Sequence, residues 1–138
     1  MFCFDTDVIS AAIKSAPPLA LVRRLTRTPV KEQCTTAITL AELLYGAARV
    51  GRPRLAEHAG MVVGSMHAIL HFDERAARTY GTLRAELEQS GTRLDDPDLR
   101  IAAIALARDL TLVTGNVRHF ARVPGLRIEN WLEPEPIV

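Results

Sequence analysis

Three carboxylates stand in surroundings where an ordinary surface acid is not expected. Glu42 is the only charged residue between Glu32 and Arg49, inside the apolar run Ile38-Thr39-Leu40-Ala41-Glu42-Leu43-Leu44-Tyr45. A carboxylate buried there needs a partner or a cation. The competing explanation is a capping box, Thr39-x-x-Glu42, in which the acid bonds back to the Thr39 amide. Asp98 opens a segment whose next residues on the same helical side are Ile101, Ala102 and Ala105, so it faces the core edge, although an acid in a first turn also complements the helix dipole. Asp5 follows the short apolar strand Phe2-Cys3-Phe4, which aims it off the carboxyl end of a sheet. The competing explanation is that Asp5 is the N-cap of the following helix, although Thr6 or Asp7 is also available for that.

Gathered together, such acids, with Asn116 as a neutral neighbour, suit a hard, oxygen-seeking ion such as Mg²⁺ or Mn²⁺. Zinc fits less well, because His67 and His71 are separated by an expected break from helix to strand and have no third ligand near them in sequence. Neither a phosphate-cradling glycine loop nor a nucleophile elbow is present.

The elements that must position these groups alternate between strand and helix. Phe2–Phe4 leads into a helix around Val8–Ile13, and Leu19–Arg27 has helical spacing after Pro17-Pro18. Residues 33–38 read as a strand before a helix from Leu40 to about Arg49. Leu55–Ala68 reads as helix, Ile69–Phe72 as strand, and Ala76, Tyr80, Leu83 and Leu87 share one helical face that Gly91 closes. Asp73 precedes that helix as its cap. Asp96-Pro97 signals another start, with Asp96 as cap and proline first in the helix. One of Asp95, Asp96 and Asp98 is expected to cap and another to be free for metal. Leu110–Thr114 is a buried strand, Arg118–Ala121 a helical turn and Leu126–Ile128 an edge strand. The expected fold class is therefore α/β, with a central parallel sheet of about five short strands covered by helices on both faces. One domain is expected over 1–138, its core about 1–132 and 133–138 an extended tail.

The chain has 138 residues, 48% of them apolar, enough for a core without disulfide staples. Cys3 and Cys34 show no disulfide spacing and read as buried thiols. A net charge of +1 excludes a global field that drives the protein onto nucleic acid, so any polyanion contact rests on a local patch; Arg49, Arg93, Arg100 and Arg118 are candidates. No segment has the length of a membrane span or the features of a signal peptide, so a cytoplasmic protein with no membrane partner is expected.

Taken in order, Asp5-Thr6-Asp7-Val8-Ile9-Ser10, Ile38-Thr39-Leu40-Ala41-Glu42-Leu43, Asp98-x-x-Ile101-Ala102 and Thr114-Gly115-Asn116-Val117-Arg118-His119-Phe120 resemble the PIN-domain ribonucleases, and more narrowly the VapC-type toxins of bacterial toxin–antitoxin pairs. The resemblance spans almost the whole chain and implies a PIN-like fold. It makes Asp5, Glu42, Asp98 and Asn116 the catalytic set, with Asp5 and Asp98 as ligands of Mg²⁺ or Mn²⁺. Asparagine at the fourth position, where many members have aspartate, removes a charge. Asp7, where the family commonly has asparagine, partly restores it. The resemblance further implies a metal-dependent endoribonuclease, an RNA substrate, a homodimer and a VapB-like antitoxin that blocks the site.

Two other functions compete. Phe4-Asp5-Thr6-Asp7-Val8-Ile9 nearly matches the nucleophile motif of haloacid-dehalogenase-like phosphatases, but it fails at Ile9 and no lysine follows Lys31. A non-catalytic partner-binding module with a degenerate PIN site is the other, motivated by Asn116 and the small net charge.

Overall fold

The computed structural model describes residues 1–137. Its elements run β1 (Phe2–Phe4), α1 (Thr6–Ala12), α2 (Leu19–Arg27), β2 (Gln33–Thr36), α3 (Ala37–Arg49), α4 (Pro53–Gly64), β3 (Ala68–Leu70), α5 (Glu74–Gln89), α6 (Asp96–Ala107), β4 (Thr111–Val113), α7 (Val117–Phe120) and β5 (Arg127–Glu129), with a 3-10 turn at Val30–Glu32. The five strands form one parallel sheet in the order β3-β2-β1-β4-β5. From β1 the chain steps outward to β2 and β3, then returns to the other side of β1 for β4 and β5. The reversal lies between β1 and β4, and open α/β sheets have a crevice beyond the carboxyl ends of such strands.

Alternation along the short strands divides the core. Cys3 and its register partners Cys34 and Leu112 face one apolar cluster, which includes Leu83, Leu87, Ile101, Ala102 and Ala105 from α5 and α6. Phe4 and Val113 face the other, with Val8, Ile9, Leu21, Leu43 and Val63. Both faces are thus covered, as parallel strands require. Cys3 and Cys34 are buried free thiols, as expected. Trp131, almost fully buried, packs on Phe2 and Phe4 with ring centroids 5.0 and 5.1 Å apart and seals the carboxyl-terminal end of the chain against β1. Beyond it, residues 133–137 carry no regular element, and Glu135 pairs with Arg24 and Arg27; the last residue of the expected tail, Val138, lies outside the described residues.

Most boundaries differ from the sequence expectation by a residue or two, and three differences have a cause in the structure. The strand expected over 33–38 ends at Thr36, and α3 begins at Ala37 rather than Leu40. The cause is Thr36, whose buried Oγ1 accepts from the Thr39 amide at 3.0 Å and starts the helix early. Thr36→Val keeps the shape but leaves that amide without a partner, so urea unfolding should show a loss of about 1–2 kcal/mol. The helix expected to reach Ala68 stops at Gly64, because the His67 amide donates to the Gln33 carbonyl at 2.9 Å and draws the chain into the sheet. Finally, α6 begins at Asp96 with Asp95 at the N-cap, and neither acid caps the helix as expected. Asp95 makes no side-chain cap bond, while Asp96 binds the Tyr80 hydroxyl at 2.5 Å and Arg100 at 2.6 Å.

Candidate active site

The crevice beyond β1 and β4 receives Asp5 at the end of β1 and Thr114-Gly115-Asn116 at the end of β4. The Asp5 amide donates to the Val113 carbonyl at 2.9 Å, extending the ladder between the two strands past their last residues. Asp5 is only 5% exposed. Its Oδ1 accepts from the Thr6 amide at 2.7 Å and its Oδ2 from the Thr114 hydroxyl at 2.9 Å. Asp5 is itself the N-cap of α1, the competing reading for this residue, and Thr6 and Asp7 do not take that place. Thr6 and Asp7 have other work.

The Thr6 hydroxyl donates to Glu42 Oε1 at 2.7 Å, so α1 and α3 meet at the site. This excludes Glu42 as a capping-box partner: the cap of α3 is Thr36, and Glu42 turns toward Thr6. Asp7 reaches across to the loop after β4, where its Oδ2 accepts from the Gly115 amide at 2.9 Å and its Oδ1 from the Thr114 hydroxyl at 3.4 Å. The Asn116 amide donates back to Thr114 Oγ1 at 3.0 Å. Asn116 is exposed at the N-cap of α7, and its side chain makes no cap bond. Asp98, half-buried in the first turn of α6, lies 3.0 Å from Nε2 of His119.

The charges at this edge repel one another. Burial first, then the neighbouring Asp7 charge, push the Asp5 carboxyl up to about 7, against the pull of the Thr6 and Thr114 hydrogen bonds; Asp98 adds to the upward push. Burial also raises Asp98, and Glu42 and Asp95 push the same way, while His119 opposes them. Acids that destabilise one another's ionised forms make a set whose natural relief is a cation. Among the described residues, His119 Nε2 is also the one buried side-chain nitrogen or oxygen without a hydrogen-bond partner. Both observations fit a divalent ion.

Of the four expected residues, Asp5 and Glu42 are joined through Thr6, Asn116 follows Thr114 on the loop that supports Asp5, and Asp98 lies close enough for its charge to act on Asp5 and for that of Glu42 to act on it. His119 stands out only in the structure. Thr6, the first residue of α1, and Thr114, directly after β4, hold the carboxylates in place and were also missed as site residues. Asp73 caps α5 as expected, accepting from Ala76 at 3.0 Å, and His67 and His71 are exposed. Of the expected basic residues, Arg100 is committed to Asp96 and lies over the Phe72 and Tyr80 rings, and Arg93 is 4.0 Å from Glu88. Arg49 and Arg118 are exposed and make no ion pair among the described residues. Beside the crevice, a groove of about 980 Å³ runs from Thr6 and Glu42 past Leu43, Ala47 and Leu55 to Lys14, Arg52 and Arg54.

A doubly covered parallel sheet with acids from β1, α3 and α6 at its switch point defines a PIN-domain protein, and the chain belongs to that family: the PIN domain pattern matches residues 2–126. Within the family it groups with the VapC ribonucleases. It is 38% identical over 132 residues to the tRNA(fMet)-specific endonuclease VapC of Salmonella typhimurium, covering 94% of this chain and 97% of that one. To Ribonuclease VapC2 of Haemophilus influenzae it is 34% identical, covering 95% and 98%. Among solved structures, a chain of DNA-bound VapBC from Salmonella typhimurium superposes with a TM-score of 0.87 at 35% identity, covering 94% of this chain and 97% of that one. A chain of VapBC2 from Rickettsia felis, bound to a promoter DNA fragment, gives 0.85 at 32% identity over 94% and 98%. Family membership sets aside the phosphatase alternative. Among the described residues no helix is long and apolar enough to cross a membrane.

Proposed function

We propose that this chain is a metal-dependent endoribonuclease toxin that hydrolyses RNA phosphodiester bonds at the β1/β4 crevice and is neutralised by a VapB-like antitoxin. The observation that carries it is the convergence of acids whose carboxyls are raised by burial and by one another's charge, Asp5 and Asp98 among them, at the switch point of the sheet of a chain that resembles VapC ribonucleases along nearly its whole length.

Asp5 and Asp98 are the residues to hold the ion, Mg²⁺ or Mn²⁺. When bound, such an ion neutralises charge on a scissile phosphate and makes a water a stronger nucleophile near neutral pH. Glu42, held by the Thr6 hydroxyl, orients the attacking water. Asn116, exposed and without a cap bond, offers its amide to a phosphate oxygen or a water. Asp7 fixes the Thr114–Gly115 loop and so sets the distance between Asn116 and Asp5. The groove that starts at Glu42 gives an antitoxin segment a way to the site, with apolar walls for burial and Lys14, Arg52 and Arg54 for its acids.

The test is RNA cleavage by purified protein. EDTA, and separately Asp98→Asn, should each reduce cleavage roughly 100-fold or more, since several kcal/mol of transition-state stabilisation go with the ion. Cleavage undiminished by either treatment overturns the mechanism. A folded wild type that binds neither Mn²⁺ nor Mg²⁺ and leaves RNA intact supports the degenerate partner-binding module instead.

A further inference from the structure

His119 has no role in the reading above, yet its Nε2 atom is buried and has no hydrogen-bond partner. An orphaned buried nitrogen costs free energy unless something else satisfies it. An Asp98 oxygen stands 3.0 Å away, close enough for the imidazole to hold the Asp98 carboxyl down but not aligned to satisfy the nitrogen with a linear hydrogen bond. The ring is held by its helix, α7, and edge-on to Phe120, with centroids 5.7 Å apart at 81°. Asp95 faces the same point. Its side chain makes no cap bond to α6, and one oxygen of Asp95, one of Asp98 and one nitrogen of His119 all lie within 4.8 Å of one another. Donors about 2.1 Å from a common ion stand roughly 3–4 Å apart, so small side-chain rotations bring these three onto one centre. The partial positive charge at the α6 N-terminus opposes a cation there. The full charges of Asp95 and Asp98, with Glu42 near enough to raise Asp98, outweigh it.

We infer that His119 Nε2 is a nitrogen ligand of the site's divalent ion, alongside Asp98 and Asp95, and that it makes the site prefer a transition ion such as Mn²⁺ over Mg²⁺. This rests on the proposal that Asp98 holds metal, and adds to the carboxylate set a donor of different chemistry. Mg²⁺ takes oxygen ligands and sheds water reluctantly, whereas divalent transition ions accept imidazole, with affinity rising from Mn²⁺ along the series. Asp5, with each oxygen already accepting one hydrogen bond, keeps free lone pairs and can complete the shell from the other side of the crevice.

The experiment is a titration of Mn²⁺ alone into the full-length chain, read by pulsed electron paramagnetic resonance, with competition by Mg²⁺. Wild type should show coupling of Mn²⁺ to a nitrogen nucleus. His119→Gln should lose that coupling, weaken Mn²⁺ binding by about 10-fold or more and change Mg²⁺ binding much less, so the preference collapses. His67→Gln, at an exposed histidine, should change none of these. Bound Mn²⁺ without nitrogen coupling in wild type overturns the inference, as does coupling or an undiminished Mn²⁺ preference that survives in a His119→Gln protein with a normal thermal melt. If that variant does not fold, the wild-type spectrum decides alone. RNA cleavage that is lost with Asp98→Asn while the wild-type spectrum lacks nitrogen removes the ligand and leaves the nuclease standing. Cleavage indifferent to EDTA, with no bound Mn²⁺, removes both.

Discussion

Asp5→Asn should reduce RNA cleavage by roughly 1000-fold and, in the same protein, raise the stability of the metal-free fold at pH 8. The two effects come from one cause. Asp5 is almost fully buried beside Asp7, and its carboxyl is pushed up to about 7 from an unfolded value near 3.8. Between those values the folded chain holds a proton that the unfolded chain has lost, so stability falls as pH rises through this window and the penalty is fully present above about pH 7. Asparagine carries no charge and never incurs that penalty. It also fits the hydrogen bonds, since its oxygen can accept from the Thr6 amide and its NH₂ can donate to the Thr114 hydroxyl oxygen, which leaves the Thr114 proton free for Asp7. Denaturant midpoints measured without metal at pH 5 and pH 8 should therefore diverge in wild type and draw together in Asp5→Asn, apart from the smaller contribution of Asp98. Added Mn²⁺ or Mg²⁺ should restore wild type at pH 8 and leave the variant unmoved. A variant that is inactive and also less stable at pH 8 would point to a merely structural aspartate. One that cuts RNA normally would remove Asp5 from the chemistry.

That link between instability and function also explains which parts of the site were legible in the sequence. Glu42 is visible because it breaks an apolar run, Asp5 because it ends one and Asp98 because it opens one, and these are local properties. The partners are not local. Glu42 meets Thr6 only because α1 and α3 arrive at the same end of the sheet, and nothing within the run Ile38–Tyr45 distinguishes that contact from a capping box. Asp96 looks like a cap because Pro97 follows it, yet Tyr80 and Arg100 compete for its carboxylate and win. The same holds for the elements. Strand and helix types follow from periodicity and turn residues, and the parallel sheet follows from their alternation. The end of α4 did not, because the Gln33 carbonyl that captures the His67 amide is more than thirty residues away. His119 is the extreme case: a histidine on a four-residue helix carries no signal until Asp98 and Asp95 are placed opposite it.

Gly115→Ala tests the joint that holds the two halves of the crevice together, and should reduce cleavage about 100-fold and destabilise the fold by about 1–3 kcal/mol. A Cβ at this position would stand 2.6 Å from Leu132 Cδ1 and 2.7 Å from Asp7 Oδ2. The leucine contact is with the flexible end of a side chain, but the Asp7 oxygen is there because it accepts from the Gly115 amide, so relieving the clash breaks that bond. The loop then shifts, and with it Thr114, which supports Asp5, and Asn116, which leads into α7 and His119. Misplacing reacting groups by about 1 Å is enough for a loss of this size. The effect should appear in kcat more than in KM, because the residues displaced are those proposed to meet the reacting phosphate and water rather than the wider RNA surface. Asp7→Asn provides the comparison. Its amide oxygen can still accept from Gly115, no clash is created, and the charge that helps raise Asp5 is gone. Near-normal cleavage in Asp7→Asn beside a crippled Gly115→Ala would assign Asp7 to holding the loop. Equal losses in both would mean that the Asp7 charge itself is needed at the metal centre.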